Sequence, residues 1–583
     1  MIMPPVSHLL LAAAAGALIG WLCEALTCRN KWLGRAALLL LAGGSLLVAC
    51  YFFTLFELFY CAIFAVLGYT ALPGSALERK KYAELSARLA APSVEELKLR
   101  RDWRRLAADY LIALAVSGGM ILLVALLPAE HHILPFVALV YLVNLAGNLL
   151  NRTVRFFTLR IAYDHAAHHL YIVTPVAPRD IPLADIQGLR KESAPDLLKL
   201  HPLFLAISSH EDLTVNFAEV LVITLPGESL YLTVAESSHW QEILAASRQQ
   251  AEQPVEMRTV LPLFHPRNLQ RLVAKGYYAV TVKGISAYSA LVLLLYYLEV
   301  PQWLLAPVVL LWWLINLYLA DRLIVSILDL KPIAPESETY RIAQPILQQI
   351  GLPQVRLYET ETQLHNAFAT GMNTGRGIIA LTSSVLKLPL PVIEGIIAHE
   401  AVHVKKRDVL LNQLYRVLLL LLLVALIWPL QGVLTTIARE HAWMLYVGVP
   451  LLMLLSSSLF SLLSQIMEVR ADQLGATLLP RGAQQMAEAL EQLALAEAAG
   501  HAQTLQHQLP AEEQEQEEPS PDLPHQRGTW FWRVLEFHFQ AYPPLYWRIA
   551  SLRENSRGWG WFLIKRLFVD RLRESLPDRI VLR

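Results

Sequence analysis

The sequence predicts a mainly α, polytopic membrane protein of about nine helical spans, with two cytoplasmic pieces, one of them small and β-rich. Three observations predict it. The 583 residues are 55% apolar and 17% charged, with a mean hydropathy of +0.40, whereas a soluble domain averages about 25% charged residues. Apolar runs of about 18 residues, long enough to cross a bilayer as helix, recur along the chain. Basic residues gather in alternate connections, as they do on the cytoplasmic face of a membrane protein.

The candidate spans lie near 8–26, 36–53, 57–74, 110–128, 132–150, 285–300, 303–320, 411–430 and 443–466. No basic stretch precedes the first, which reads as a retained span and not a cleaved signal. Arg29, Lys31 and Arg35 fall in one connection, and the segment 75–109 is rich in Lys and Arg from Arg79 to Arg105. The turns around Glu130 and Pro301 carry no Lys or Arg, and 431–442 carries only Arg439. Nine spans put every basic connection on one face, with the N-terminus outside and the C-terminus in the cytoplasm. Lys+Arg 49 against Asp+Glu 49 leaves no net field to attract nucleic acid, so none is expected as a partner. The four cysteines form neither a CxxC pair nor a disulfide framework.

Residues 1–150 are thus read as a five-span membrane region and 284–328 as a membrane hairpin. Between them, 151–270 alternates apolar and polar residues in short runs at 157–161, 169–173, 220–224 and 229–234. Pro226-Gly-Glu separates the last two as a hairpin turn would, and a helical stretch from Trp240 to Gln250 closes the piece. This pattern resembles a bacterial PH-like module, which would pack on the rest of the chain or bind a partner. The second piece, 329–583, includes the last two spans and an acidic stretch, 501–527, too polar to bury a core and expected to be a flexible insertion.

The chemistry concentrates in 391–410, PVIEGIIAHEAVHVKKRDVL. Pro391 suits a first helical turn, and Val392, Ile396 and Ile397 recur at helical spacing. His399 and His403 are four apart, so both imidazoles leave one face and can grip one metal ion. Glu400 lies beside them, placed to take a proton from water. Zinc needs a third protein ligand and an open position. His403 stands shortly before the eighth span, and the chain leaving the ninth must emerge beside it. There Glu468 is the expected third ligand, with Asp472 one turn further on to accept the outer N–H of a ligating histidine.

His399-Glu-Ala-Val-His403 with Asp408, followed by Glu468-Val-Arg-Ala-Asp472, resembles the HtpX-type membrane zinc metalloproteases, relatives of the CAAX prenyl proteases. Asn366-Ala-Phe-Ala-Thr-Gly371 is similar to that family's segment preceding a substrate-aligning strand, here Gly377–Thr382. Ala541-Tyr-Pro-Pro-Leu-Tyr-Trp-Arg-Ile-Ala-Ser-Leu552 is similar to its C-terminal motif. The resemblance covers roughly 330–552 and implies a cytoplasmic HExxH, zincin-like metalloprotease domain holding one zinc ion per chain. It implies ligands His399, His403 and Glu468, base Glu400, supporting carboxylates Asp472 and Asp408, and substrate contacts at Asn366, Ala367, Phe368, Gly371, Ile379 and Ala380. Where the family has a histidine thought to stabilise the tetrahedral intermediate, this chain has Tyr542, whose hydroxyl can donate the same hydrogen bond, with Arg548 as the alternative donor.

The expected function is a membrane-embedded zinc endopeptidase facing the cytoplasm of a bacterial inner membrane, with damaged or misfolded membrane proteins as substrates. A specific processing peptidase of the CAAX kind and a non-catalytic scaffold with a structural metal, whose fourth ligand would be His365, are the alternatives. Residues 559–573 mix aromatic and basic positions, which suits either an interfacial helix or packing against the protease domain. Oligomeric state is not legible.

Overall fold

The computed structural model of the chain describes residues 5–27, 31–52, 55–71, 74–126, 133–201, 210–233, 235, 240, 257–281, 302–370, 377–514, 527–554 and 557–577. It divides into two compact units, residues 1–269 with 500–519, and residues 270–499 with 520–583. Helices stand at Val6–Thr27, Lys31–Phe52, Leu55–Thr70, Trp103–Leu126, Ile133–Thr158, Gln302–Ile327, Asp408–Ile427 and Ala442–Ala476, each overlapping an expected span. The expected sixth span, 285–300, lies outside the described residues. Among the described residues, one helix, Val6–Thr27, meets both the length and the hydropathy needed to cross a membrane. The count of nine therefore rests on loop charge and not on the fold.

In the first unit the β-rich piece forms two sheets. Val94–Glu96, Arg160–Asp164, His169–Val173 and Arg179–Pro182 make an antiparallel sheet in that order. The second sheet has the spatial order His210–Leu213, Ser229–Leu232, Val220–Thr224, Gly188–Glu192 and Met257–Arg258. The hairpin expected at Pro226-Gly-Glu is present, with Leu225 N–H donating to Glu228 O at 2.9 Å. Two details differ from the sequence reading. Helix persists through Thr158, so the first strand of the piece starts at Arg160 and not near Phe157. An edge strand also comes from Val94–Glu96, in a basic segment that loop-charge counting treats as a plain connection.

Inside this unit a buried ion network ties two helices to the sheet. Arg105 reaches Asp212 at 2.8 Å and also contacts Asp109, while Arg152 reaches Asp109 at 3.0 Å and the Thr214 carbonyl at 2.7 Å. All four charged side chains are buried, so each charge depends on its partners.

The expected flexible insertion at 501–527 begins too early. The helix Gly482–Gln508 runs through its first part, and a further turn covers Ala511–Gln514. The reason is local propensity: the segment is dominated by Ala, Leu, Gln and Glu, all strong helix formers. Residues 515–526 lie outside the described set. The end of this helix rests on the 226–228 turn, where a Cβ on Gly227 would come within 2.2 Å of Thr504 Oγ1, and His507 Nε2 meets Asp185 Oδ2 at 2.8 Å.

The second unit is built around two crossing helices. The histidine helix, Leu390–Lys406, is buried along most of its length and packs on the glutamate helix, Ala442–Ala476, in a core with Ile346, Leu357, Ile397, Ala401 and Met486. Gly475 makes the crossing close: a Cβ there would fall 2.8 Å from Met486 Cε and 3.2 Å from the Ala398 carbonyl. A sheet flanks the histidine helix in the order Lys331–Pro332, Arg356–Thr360, Ile378–Thr382 and Ala367–Thr370.

Candidate metal centre

The histidine helix stops where Arg407 adopts φ 54° and ψ 46°, a left-handed cap whose N–H returns to the His403 carbonyl. That break starts the next helix at Asp408 and swings its carboxylate back, so that Asp408 Oδ2 lies 2.8 Å from His403 Nδ1. The glutamate helix crosses behind and presents Glu468 and Asp472 one turn apart on its inner face. His399 Nδ1 lies 2.9 Å from Asp472 Oδ1.

With both Nδ1 atoms turned to carboxylates, both Nε2 atoms converge. They lie 3.0 Å apart, and Glu468 places Oε2 at 3.3 Å from His399 Nε2 and Oε1 at 3.4 Å from His403 Nε2. Tetrahedral zinc with bonds near 2.0–2.1 Å sets its ligand atoms about 3.3 Å apart. Two imidazole lone pairs and a carboxylate at this spacing repel unless a cation or proton sits among them, so the donor set fits a divalent metal. Among the described residues the cluster of possible ligands is His399, His403 and Glu468. His365, the fourth ligand that a closed structural site would use, is not in it.

Each supporting carboxylate is itself held by an arginine. Arg548 grips Asp472 in a two-pronged pair at 2.7 and 2.8 Å and stands 3.6 Å from Glu468 Oε2. Arg470 contacts Asp408. Although burial opposes it, Arg548 keeps the Asp472 carboxyl well below the usual carboxylate range. Burial also opposes a charge on His399, yet Asp472 and Glu468 outweigh it and raise the metal-free imidazole to about 10. Glu400 is buried beside the pair, and desolvation lifts its carboxyl above the ordinary value against the pull of the histidines. A buried carboxyl so raised is suited to carrying a proton both ways.

The sequence reading anticipated His399, His403, Glu468, Glu400, Asp472 and Asp408 at one place, and the fold brings them together. Tyr542 joins them by field: desolvation, then the carboxylates of Glu468 and Glu400, push its hydroxyl up to about 12. It stays protonated at neutral pH and able to donate. Arg548, the alternative donor, gives its Nε–H and one Nη2–H to Asp472.

The substrate strand differs from expectation. Ile378–Thr382 is an inner strand, paired with Arg356–Thr360 on one side and Ala367–Thr370 on the other. Ile379 and Ala380 are fully buried, so neither has an edge or face to offer. The edge belongs to Ala367–Thr370, which includes Ala367 and Phe368 and adjoins the histidine helix. Asn366 starts it, its carbonyl accepting from Thr382 N–H at 3.1 Å, and Gly371 lies outside the described residues.

Sequence reasoning missed Gln465 and Arg571. Gln465 is buried three residues before Glu468, and its amide nitrogen lies 3.0–3.4 Å from the carbonyls of Glu536, Phe537, Gln540 and Tyr542. Its oxygen accepts from Arg571 at 2.6 Å. A glutamine at the same face as a ligand, one turn earlier, is the only signal the sequence carried.

Two family models match the chain: "Bacterial PH domain" over residues 160–248 and "Peptidase family M48" over 334–556. Curated relatives named "Protease HtpX homolog" are similar to it. The one from Thermococcus sibiricus is 35% identical over 112 residues, 19% of this chain and 34% of that protein. The one from Syntrophobacter fumaroxidans is 28% identical over 261 residues, covering 40% of this chain and 83% of that protein. The chain thus spans about a third of the length of the first curated relatives it matches. Among solved structures it is similar to the crystal structure of S. mikatae Ste24p, at 14% identity and a TM-score of 0.32, covering 49% of this chain and 66% of that one.

Proposed function

We propose that this chain, whose residues 334–556 match the peptidase family M48 model, is a membrane-embedded zinc endopeptidase with its active site on the cytoplasmic side. The observation that carries the reading is the convergence of His399 Nε2, His403 Nε2 and Glu468 within 3.4 Å, with Glu400 buried on the same helix. Held there, zinc supplies Lewis acidity toward a peptide carbonyl and acidifies the attacking water.

The residues do the rest. Glu400 takes a proton from the water as it attacks and passes it to the leaving amine. Tyr542 donates its hydroxyl hydrogen to the oxygen that gains charge, in the role of the histidine that the family resemblance leads one to expect. Asp472 and Asp408 fix the tautomer and tilt of the two imidazoles, and Arg548 and Arg470 fix the carboxylates. An extended substrate adds a strand to the outer edge of Ala367–Thr370, next to the histidine helix.

Glu468 follows directly on the apolar part of the glutamate helix, so the site sits close to the bilayer surface under the nine-span topology. That placement favours juxtamembrane segments of damaged or misfolded membrane proteins as substrates. A buried carboxyl beside the ligands argues against the purely structural metal site, which has no use for a base.

The test is cleavage of an unfolded protein by purified, zinc-supplemented chain. Wild type cleaves, Glu400→Gln does not, and Tyr542→Phe falls about 10²–10³-fold in kcat. Equal turnover by Glu400→Gln contradicts the assignment of the base.

A further inference from the structure

The terminal helix, Trp561–Glu574, has two apolar faces. Leu563, Leu567 and Arg571, four residues apart, point inward and are buried. The opposite face carries Trp561, Phe562, Phe568, Val569, Leu572 and, just past the helix, Leu576, all between 45% and 75% exposed. At 100° per residue these six fall within about a third of the helix circumference, a continuous stripe. A helix on a water-facing surface shows charge there. Here the exposed stripe is interrupted only by Lys565 and Arg573, both basic.

We propose that this outer face, with the adjoining Trp530–Phe539 helix, is a lipid-binding surface that lies in the headgroup region of an anionic bilayer leaflet. The proposal rests on the membrane-embedded reading of the glutamate helix. Three observations identify lipid as the occupant.

The first is position. Arg571 reaches past Gln465 to the Ser458 carbonyl at 3.0 Å and Ser461 Oγ at 3.3 Å, and His538 binds Ser458 Oγ at 2.8 Å. These anchor points precede Glu468 by three to ten residues, so the terminal helix is fastened about 5–15 Å along the helix axis from Glu468, toward the apolar half of the glutamate helix. The second is continuity. That apolar half exposes Leu451, Leu454, Leu455 and Leu459, the face that meets acyl chains if the helix spans. Arg571 ties the terminal helix to Ser458 and Ser461, on either side of the exposed Leu459 in the chain. The third is composition. Trp530, Phe531 and Trp532 are 43–59% exposed, and Trp530 is pinned to the terminal helix by its Nε1–H to the Ser575 carbonyl at 2.7 Å. Tryptophans and phenylalanines with interspersed Lys and Arg are the residue set of the bilayer interface, where basic heads rise to anionic headgroups while their stems stay apolar.

In this arrangement the surface is an interfacial clamp. It holds the Gln465–Arg571 joint, and through it the Tyr542 backbone, at a fixed height over the membrane.

Nitroxide labels at single cysteines test it. Phe562→Cys, Phe568→Cys, Leu572→Cys and the exposed control Glu336→Cys are made in the full chain with its four native cysteines changed to serine. Each is placed in nanodiscs containing phosphatidylglycerol, with zinc content checked as a measure of folding. The three stripe labels are expected to collide severalfold more with dissolved oxygen, relative to an aqueous nickel complex, than the control does. Adding Lys565→Gln and Arg573→Gln should shift them toward water. Nickel access equal to the control means a water-facing surface and overturns the proposal. Shielding from both reagents means a protein covers the face, and overturns it too. A chain that does not enter the discs overturns the membrane reading itself, and this surface with it.

Discussion

Each imidazole of the candidate metal centre leans on a carboxylate, and each of those carboxylates leans on an arginine: His399 on Asp472 and Arg548, His403 on Asp408 and Arg470. The chains of charge have a consequence for metal binding. In the metal-free protein His399 is raised to about 10, because Asp472 and Glu468 outweigh the cost of burying its charge. Below that pH it carries a proton that a metal must displace. Zinc affinity therefore falls as pH falls, and binding at pH 8 releases about one proton from this ring. Calorimetry in two buffers of different ionisation enthalpy reads that proton directly. A heat independent of buffer would show that His399 is already neutral and that the carboxylate pair does not act as described.

Among the elements, the edge strand Ala367–Thr370 is the one on which the proposed substrate contact rests. Because Asn366 O accepts from Thr382 N–H, the alternation of an antiparallel ladder turns the N–H and C=O of Ala367 and Ala369 to the outer edge. Ala369→Pro removes one outward N–H without breaking the sheet, since proline is tolerated on an edge. The expected result is a raised KM with zinc content unchanged; loss of zinc would mean the strand only supports the histidine helix. The sequence misled here for a physical reason. Gly377–Thr382 is an uninterrupted apolar run, and such runs belong to strands covered on both sides, not to edges that receive a ligand. The convergence of His399, His403 and Glu468 is legible because four-residue spacing fixes two imidazoles on one face, and because a hairpin of helices must return near its start. Arg548 at Asp472, and Gln465 with Arg571, were not legible, because they join segments separated by 76 and 106 residues through side-chain geometry alone. The segment 501–508 is polar enough to read as an insertion, yet its helix propensity prevails.

At the scale of the molecule, each unit has its own polar keystone. In the first it is the buried network of Arg105, Asp109, Arg152 and Asp212, which fastens the β-rich piece to the ends of two helices. Asp109→Ala leaves two buried guanidiniums short of a partner and should cost about 3–5 kcal/mol, seen as a lowered unfolding temperature in detergent. A change within error would show that the network is bridged by water and contributes little. In the second unit the keystone is the candidate metal centre of His399, His403 and Glu468. The most direct measurement is zinc per chain in the purified protein, taken for wild type, His403→Ala and Glu468→Gln, alongside cleavage of an unfolded protein. One zinc in wild type, with metal and cleavage lost together in both variants, is the predicted result. Full zinc occupancy in either variant, or cleavage that survives without zinc, would contradict it.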